Sequence, residues 1–526
     1  MMNSSPQLDT THKVNRRQFL LASSTALIGQ SWASADVSSE KSAIHPPITQ
    51  PQAGKPLNVI LFLTDDHGAW AAGCYGNKEL QTPHLDRLAQ EGIRFSDATT
   101  PCPVCSPGRA CIMTGQTPSQ IGIHDWLNEN NPIIANHPWL ADQSTLPKLF
   151  QQAGYHTMLT GKWHLGGSHT TPDGFDQCFG LPYTQGWHNG EYTYHLNGKP
   201  VTLSGNKSQF ITDHAIQFLR DCPKNQPFFL NVGYIATHSP YHQDHHDPKL
   251  IDQYKDASFS DLPVYKEHPW SKNEAFKTTE DDLEGIKEYR RGYYAAVTEI
   301  DNNIGRILAY LEETNQLDNT IIVYTSDHGC TQGHHGFWGK GNSTRPLNAY
   351  EHSIRIPLLI RHPQKESNLI SDRAVDHYDT FATICHYADL RLPASKNYPG
   401  QSFAENPAET RSTPRFGEYG DLRFIRTDQY KLILRYDHVP NELFDLKNDP
   451  DETTNHYDNP TYQQTIKQLT LQLNTWYSAY QSPERTGLKV KSLLKHNHDE
   501  AWRDGKRENY VRGIRKRIER RNKQKL

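Results

Sequence analysis

The feature that most constrains this chain is an apolar run that ends on two carboxylates. Asn58–Leu63 is apolar after its first residue and stops at Thr64, Asp65 and Asp66. A short apolar run bounded by polar residues is the pattern of a strand covered on both faces. Similar runs occur at Phe228–Val232, Thr320–Tyr324 and Ile356–Ile360. Pro357 in the last run favours a sheet edge or a strand start, because proline cannot donate to a ladder. Helical spacing lies between the runs, at Pro83–Glu91, Leu146–Gln152, Phe210–Leu219 and Tyr289–Glu313. Thr82 and Pro83 supply a cap and a first-turn residue for the first helix. Strands alternating with helices predict an α/β domain with a large, mainly parallel sheet.

Near residues 405–415 the composition shifts toward Pro, Glu, Arg and Ser. Beyond it, Leu422–Thr427 and Tyr430–Tyr436 alternate polar and apolar residues, as neighbouring strands do. Tyr462–Tyr480 reads as an amphipathic helix. A smaller C-terminal α+β domain with a short antiparallel sheet is expected. The boundaries read 57–405 for the α/β body, 406–482 for the smaller domain and 483–526 for a basic tail.

The first 35 residues carry an address. Arg16 and Arg17 precede a short apolar stretch, Phe19–Gly29, and small residues follow at Ala33, Ser34 and Ala35. The pattern resembles a bacterial twin-arginine export signal. Residues 36–56 read as a linker, and an exported, periplasmic or secreted protein is expected. The stretch is too short to span a bilayer, and no other segment is apolar for long enough.

The chain has 526 residues, with 55 Lys and Arg against 59 Asp and Glu. That balance argues against a nucleic-acid partner. The 15 Lys and Arg of residues 483–526 face only 6 acids, so the body is acidic, and the tail reads as a solvated charged face or as a surface that attracts a polyanion. The eight cysteines are Cys74, Cys102, Cys105, Cys111, Cys178, Cys222, Cys330 and Cys385. They lack zinc-site spacing, and in an oxidising compartment some could pair.

Asp65 and Asp66 stand where a buried strand ends, the place where open α/β sheets bind ligands. Asp327, His328 and Gly329 follow another such run. Oxygen-rich clusters suit hard cations, although strand-terminal Asp also caps turns. Cys105-Ser106-Pro107-Gly108-Arg109 offers a soft thiolate that fits poorly beside hard carboxylates. A buried structural cysteine, or a disulfide to Cys102 or Cys111, is the other reading of this short pattern.

Together, in order, these motifs resemble the type I sulfatases, the formylglycine-dependent family within the alkaline phosphatase superfamily. The resemblance covers most of residues 57–480. It is carried by Asn58–Asp66, by Cys105–Arg109 with Met113, Thr114 and Gly115, and by Gly154–Thr157 with Gly161–Gly166. Thr325–Gly329, and Leu443–Leu446 with Asp449, Pro450 and Glu452, complete it.

The resemblance implies an alkaline-phosphatase-like fold and a sulfuric ester hydrolase. It implies that a maturation enzyme converts Cys105 to formylglycine (3-oxoalanine), whose hydrate attacks sulfur with one hydroxyl and expels sulfate with the other. One Ca²⁺ would be held by Asp65, Asp66, Asp327, His328 and the modified Cys105. Many relatives have Asn where His328 stands. Arg109 would hold the hydrate, and Lys162, Lys340 and His238 would bind sulfate. His238 would also protonate the leaving oxygen, and His164 would act as base when sulfate is released.

The implied partner is a sulfated sugar or polysaccharide. Trp187, His188, Tyr192, Tyr194 and the segment Tyr241–Lys277 are candidates to stack on sugar faces. His242, His245 and His246 read as a polar loop rather than a second metal site. His334 and His335 face either substrate or solvent. Arg345, Arg355 and Arg423 are candidates for carboxylates or further sulfates. The alternatives are a phosphonate monoester or phosphodiester hydrolase and a catalytically silent glycan-binding protein.

Overall fold

A computed structural model describes residues 56–181, 189–272, 280–365, 367–409, 414–436 and 440–503. The expected export signal, most of the expected linker, the tail beyond Arg503, Trp187, His188 and residues 273–277 lie outside the described residues.

The strands run in chain order as follows. β1 is Asn58–Thr64, β2 Ile93–Thr99, β3 His156–Gly161, β4 Gln177–Gly180, β5 Asn189–Leu196 and β6 Lys199–Asn206. β7 is Phe228–Gly233 and β8 Thr320–Ser326, and β9 (Thr331–Gln332) and β10 (Trp338–Gly339) form a short ribbon. β11 is Leu358–Arg361 and β12 Leu369–Asp376. β13 Arg415–Tyr419, β14 Leu422–Arg426, β15 Tyr430–Arg435 and β16 Glu442–Asp445 form the C-terminal sheet.

The main sheet has ten strands in the order β12-β2-β11-β8-β1-β7-β3-β4-β5-β6. The five strands β8, β1, β7, β3 and β4 are parallel to one another. Both faces of β1 are covered, as its unbroken apolar run requires. Val59, Leu61 and Leu63 pack with Ala110, Ile112 and Met113 on one face. Ile60 and Phe62 pack with Ile300, Ile304 and Ile307 on the other. Those isoleucines belong to Leu283–Glu313, the long helix expected from its spacing, which starts six residues before Tyr289.

Pro357 does mark a strand start, but β11 is not at an edge. It lies between β2 and β8, antiparallel to both. The proline precedes the first ladder residue, so no ladder donor is lost. Its carbonyl instead accepts Thr325 Oγ1 at 2.8 Å.

The C-terminal strands pair antiparallel in sequence order, as their alternation predicts. The helix Gln463–Ala479 lays Ile466, Leu469, Leu473 and Tyr477 against Ile425, Leu432 and Leu443. Buried ion pairs tie this sheet to the body. Arg426 Nε meets Glu351 Oε1 at 2.8 Å, and Arg415 Nη2 meets Asp97 Oδ2 at 3.0 Å. Among the described residues, no helix is long and apolar enough to cross a membrane. All eight cysteines are free, so Cys102, Cys105 and Cys111 form no disulfide.

Candidate active site

The register of the sheet brings the sequence-predicted groups together. β1 and β8 pair in parallel from Asn58↔Thr320 to Thr64↔Ser326, so Asp65 and Asp327 leave the sheet side by side. β7 and β3 end level at Gly233 and Gly161, which delivers His238 and Lys162 to the same edge. Cys105 arrives from another direction, as the first residue of the helix Cys105–Thr114. That helix is buried along its whole length and therefore has no polar face for sequence spacing to reveal. Pro107 is tolerated in its first turn. Gly108 allows the helix to meet the sheet closely, since a Cβ there would lie 2.4 Å from Asp327 O.

Four donor groups, from Asp65, Asp66, Cys105 and His328, lie within 4.8 Å of one another, all buried. Their geometry and chemistry fit a cation. Asp65 Oδ1 is buried and has no hydrogen-bond partner among the described residues. Buried carboxylates are stable only when paired or bound to metal. Asp327 stands beside this group with its oxygens engaged. Its Oδ2 accepts Arg109 Nε at 2.8 Å, and its Oδ1 lies 3.3 Å from His328 Nε2. His328 Nδ1 donates to Gly329 O at 2.8 Å, which leaves Nε2 for Asp66 Oδ1 at 3.1 Å and Cys105 Sγ at 3.4 Å. His328 thus stands in this group between Asp66 and Cys105.

The cations sit around the same centre. Lys162 Nζ donates to Asp65 Oδ2 at 2.5 Å. Lys340 Nζ donates to Asp66 Oδ1 at 2.5 Å and to Cys105 Sγ at 2.9 Å. Arg109 stands at the same centre and ties three elements together. Its three guanidinium nitrogens go to Asp327, to Lys162 O at 2.9 Å and to the carbonyls of Leu63 and Thr64. In this geometry it braces the strand ends rather than reaching residue 105.

Burial and charge shift the titrating groups in opposite senses. Burial opposes ionisation of Cys105, yet Lys162, Lys340 and His328 hold its thiol well below the ordinary range. Burial disfavours charge on His328, but the Asp327 and Asp66 carboxylates push it up to about 9. Burial and Lys162 pull His164 down to about 4. His238 is raised, because Asp66, Asp65 and a bond to Cys105 outweigh burial and Lys340. Both histidines lie close enough to the Cys105 side chain for its charge to act on them.

Several supporting groups carry little sequence signal. Tyr293 OH donates to Asp66 O at 2.8 Å, and Thr237 Oγ1 donates to Asp65 O. His377 Nε2 donates to Ser326 O at 3.0 Å. Thr237 was legible as the neighbour of His238. Tyr293 and His377 lie far from the motifs, and only the fold brings them there. Asp66 and His164 have left-handed backbones, with φ of 54° and 59°. Such strained positions gather at functional sites.

Other candidates are engaged elsewhere. Tyr194 is buried and stacks on Phe179 at 5.3 Å, so it belongs to the core. Tyr192 lies under the Lys207 ammonium at 4.3 Å. His246 Nδ1 pairs with Glu299 at 3.1 Å. His334 stacks on His352 at 4.0 Å, and His335 Nε2 lies 3.1 Å from His352 Nδ1. Arg345 pairs with Asp499 at 2.9 Å and Arg423 with Glu418 at 3.3 Å, while Arg355 donates to Ser96 O. These three arginines are committed internally.

Comparison with known proteins gives the family. The family described as Sulfatase matches residues 57–390. A second, described as N-sulphoglucosamine sulphohydrolase, C-terminal, matches residues 333–479. The N-acetylglucosamine-6-O-sulfatase of Bacteroides thetaiotaomicron is 33% identical, over 80% of this chain and 86% of its own. A solved structure in complex with its substrate D-glucosamine-2-N,6-O-disulfate superposes with a TM-score of 0.70 at 28% identity. It covers 82% of this chain and 99% of its own. The phosphonate monoester hydrolase of Agrobacterium radiobacter shares the fold, with a TM-score of 0.66 at 20% identity over 81% and 96% of the two chains. The family match spans the strands and loops that build the site, and the relative spans nearly its own full length. This chain belongs to the sulfatase family and is a sulfatase, an enzyme that hydrolyses sulfate esters.

Proposed function

We propose that this sulfatase removes sulfate from a sulfated carbohydrate, with Cys105 matured to formylglycine beside one Ca²⁺. The convergence on residue 105 carries the reading. Lys340, His328, His164 and His238 all meet it, with Asp65, Asp66 and Asp327 behind. A cation held there by Asp65, Asp66, Asp327 and His328 would supply a positive centre that lowers the pKa of a hydroxyl. A formylglycine hydrate would supply two hydroxyls, one to attack sulfur and one to expel sulfate, and its hard oxygens would suit the cation where a thiolate does not.

The chain's own residues do the rest. Lys162 and Lys340 place two ammonium groups at the centre, where they neutralise sulfate oxygens in a buried, preorganised setting. His238 Nδ1 donates to Ser239 O at 2.7 Å, which leaves Nε2 to serve another partner. Its raised pKa suits the acid that protonates the leaving oxygen. His164 Nε2 donates to Leu127 O at 2.9 Å, leaving Nδ1 as an acceptor. Its lowered pKa keeps the ring neutral, so that Nδ1 has a lone pair with which to take a proton from residue 105. Arg109 holds Asp327 and the carbonyl of Lys162 in place.

The relative named N-acetylglucosamine-6-O-sulfatase, and the structure with bound glucosamine disulfate, make 6-sulfated hexosamines the first substrate class to test. The twin arginines at Arg16 and Arg17 support export before the enzyme meets such a sugar. The test is a kcat/KM panel on protein from a maturation-competent host. It compares 6-sulfated N-acetylglucosamine, other sulfated sugars, an aryl sulfate, a phosphonate monoester and a phosphodiester. Preference for a phosphorus ester overturns the substrate reading. Unmodified Cys105 in the mass of its tryptic peptide, with sugar binding but no turnover, leaves a silent binding protein.

A further inference from the structure

The loop that carries Lys162 and His164 is clamped by a second loop rather than by the sheet alone. His164 donates to Leu127 O, and Gly166 N donates to Glu129 Oε1 at 3.1 Å. Leu127 N in turn donates to Ser106 Oγ at 3.0 Å, next to Cys105. The orientation of one carbonyl, Leu127 O, thus decides which nitrogen of His164 carries its proton. That choice decides whether Nδ1 can accept from residue 105.

The residues flanking Leu127 are held by the segment Leu494–Glu500, near the end of the described chain. Asn128 N donates to His496 O at 2.9 Å. Asn497 Nδ2 donates to Trp126 O at 2.8 Å. His124 N reaches His496 Nε2 at 3.1 Å. The segment is itself braced, because His496 N and Nδ1 both donate to Glu500 Oε1 at 2.8 Å. Asn497 is buried, and its Oδ1 accepts Asp499 N at 2.7 Å. Asp499 Oδ2 takes Lys272 Nζ at 2.6 Å and Arg345 Nη2 at 2.9 Å. Arg345 lies five residues after Lys340. One amide therefore joins the wall behind His164 to the wall that carries Lys340.

We propose that Asn497 is a positioning residue for His164, acting through the Trp126–Asn128 backbone. The inference rests on the reading of His164 as the proton acceptor. Loss of the Asn497 donor frees the Leu127 peptide to turn. His164 can then take its other tautomer and lose its acceptor toward residue 105. The active-site lysines keep their own partners, so substrate binding is spared.

The test measures kcat, KM and Tm for Asn497→Ala, Glu500→Ala and Glu500→Gln, each in the wild-type and His164→Ala backgrounds. Asn497→Ala should lower kcat about tenfold with KM unchanged, the scale expected of a small misplacement of a reacting group. Glu500→Ala should act in the same direction. Glu500→Gln keeps an acceptor for His496 and should recover most of the rate. In the His164→Ala background, none of the three should lower kcat further. Where Asn497→Ala does not fold, Asn497→Asp reads the same point: it keeps the acceptor for Asp499 N, loses the donor and sets a carboxylate oxygen against Trp126 O, so its loss of kcat should be at least as large. Unchanged kcat in Asn497→Ala, or an equal loss in both backgrounds, overturns the inference. Full activity in His164→Ala itself instead overturns the base assignment on which it rests.

Discussion

Arg109 Nε lies 2.8 Å from Asp327 Oδ2, and the two side chains are 1% and 0% exposed. A buried pair like this is costly to break, because the surviving charge has no water to solvate it. Arg109→Ala should therefore destabilise the fold by about 3–5 kcal/mol. Arg109→Lys should recover little, since a point ammonium cannot span Asp327, Lys162 O and the strand-end carbonyls at once. Denaturant unfolding of the two variants checks this. A lysine variant as stable as wild type would mean that the fork geometry is unimportant.

Cys105→Ser replaces the thiol with one hydroxyl in the same buried position. Turnover should be lost and the fold kept, because serine has no second hydroxyl with which to expel sulfate. Circular dichroism and an aryl sulfate assay read the two halves. Normal turnover would falsify the formylglycine account.

Lys162→Ala and Lys340→Ala should each lower kcat/KM on the order of 10²–10³, the scale for removing one preorganised charge-stabilising donor. Lys340 also touches Cys105 Sγ, so its loss should additionally raise the thiol pKa in unmatured protein. Titration of thiolate absorbance in that form checks the second effect. Wild-type kcat/KM in both alanine variants would place sulfate elsewhere.

Chelation should destabilise the enzyme, and Ca²⁺ should restore it. A ligand bound only by the folded state stabilises by about 2.7 kcal/mol at a hundredfold excess over Kd. The Tm of EDTA-treated protein should rise on titration with Ca²⁺. Asp65→Asn should abolish that rise, since Asp65 Oδ1 is the carboxylate oxygen left without a hydrogen-bond partner. An equal rise in the Asp65→Asn protein would place the stabilising ion at another site.

Acid should unfold the protein through its buried histidines. Burial lowers His67 and His377 to about 4 and His124 to about 3. Each donates Nε2–H to a carbonyl, of Ala71, Ser326 and Arg485 respectively. The neutral form is the folded form, and the unfolded chain binds protons near the ordinary value of about 6.5. Stability contributed by these groups is present above that value and is lost as pH falls through the folded values. Tm should therefore drop between about pH 6.5 and pH 4, with net proton uptake on unfolding. A flat Tm across that range would contradict it.

Much of the site was legible because its groups stand at the ends of apolar runs. Asp65, Asp66 and Asp327 follow strands whose burial their own residues demand. Cys105, Lys162 and Lys340 sit in motifs of fixed local spacing. Helices with a polar face, such as Leu283–Glu313, were visible for the same reason. The helix Cys105–Thr114 was not, because burial on all sides leaves no periodic contrast. Pro357 left a sheet edge and a strand start equally open; the ladder begins one residue later, at Leu358, so the strand start holds and the strand lies inside the sheet.

Which stretches are buried strands, where carboxylates and cations follow them, and to which family the chain belongs can all be read along the chain. The register that sets Asp65 beside Asp327, the bracing contacts of Arg109 and the proton placement on His164 arise only in the folded chain. The first set depends on neighbours along the chain, whose propensity and burial act locally. The second depends on hydrogen bonds that must be satisfied in the interior between residues tens to hundreds of positions apart. Which partner satisfies each buried group is settled when the sheet closes over it.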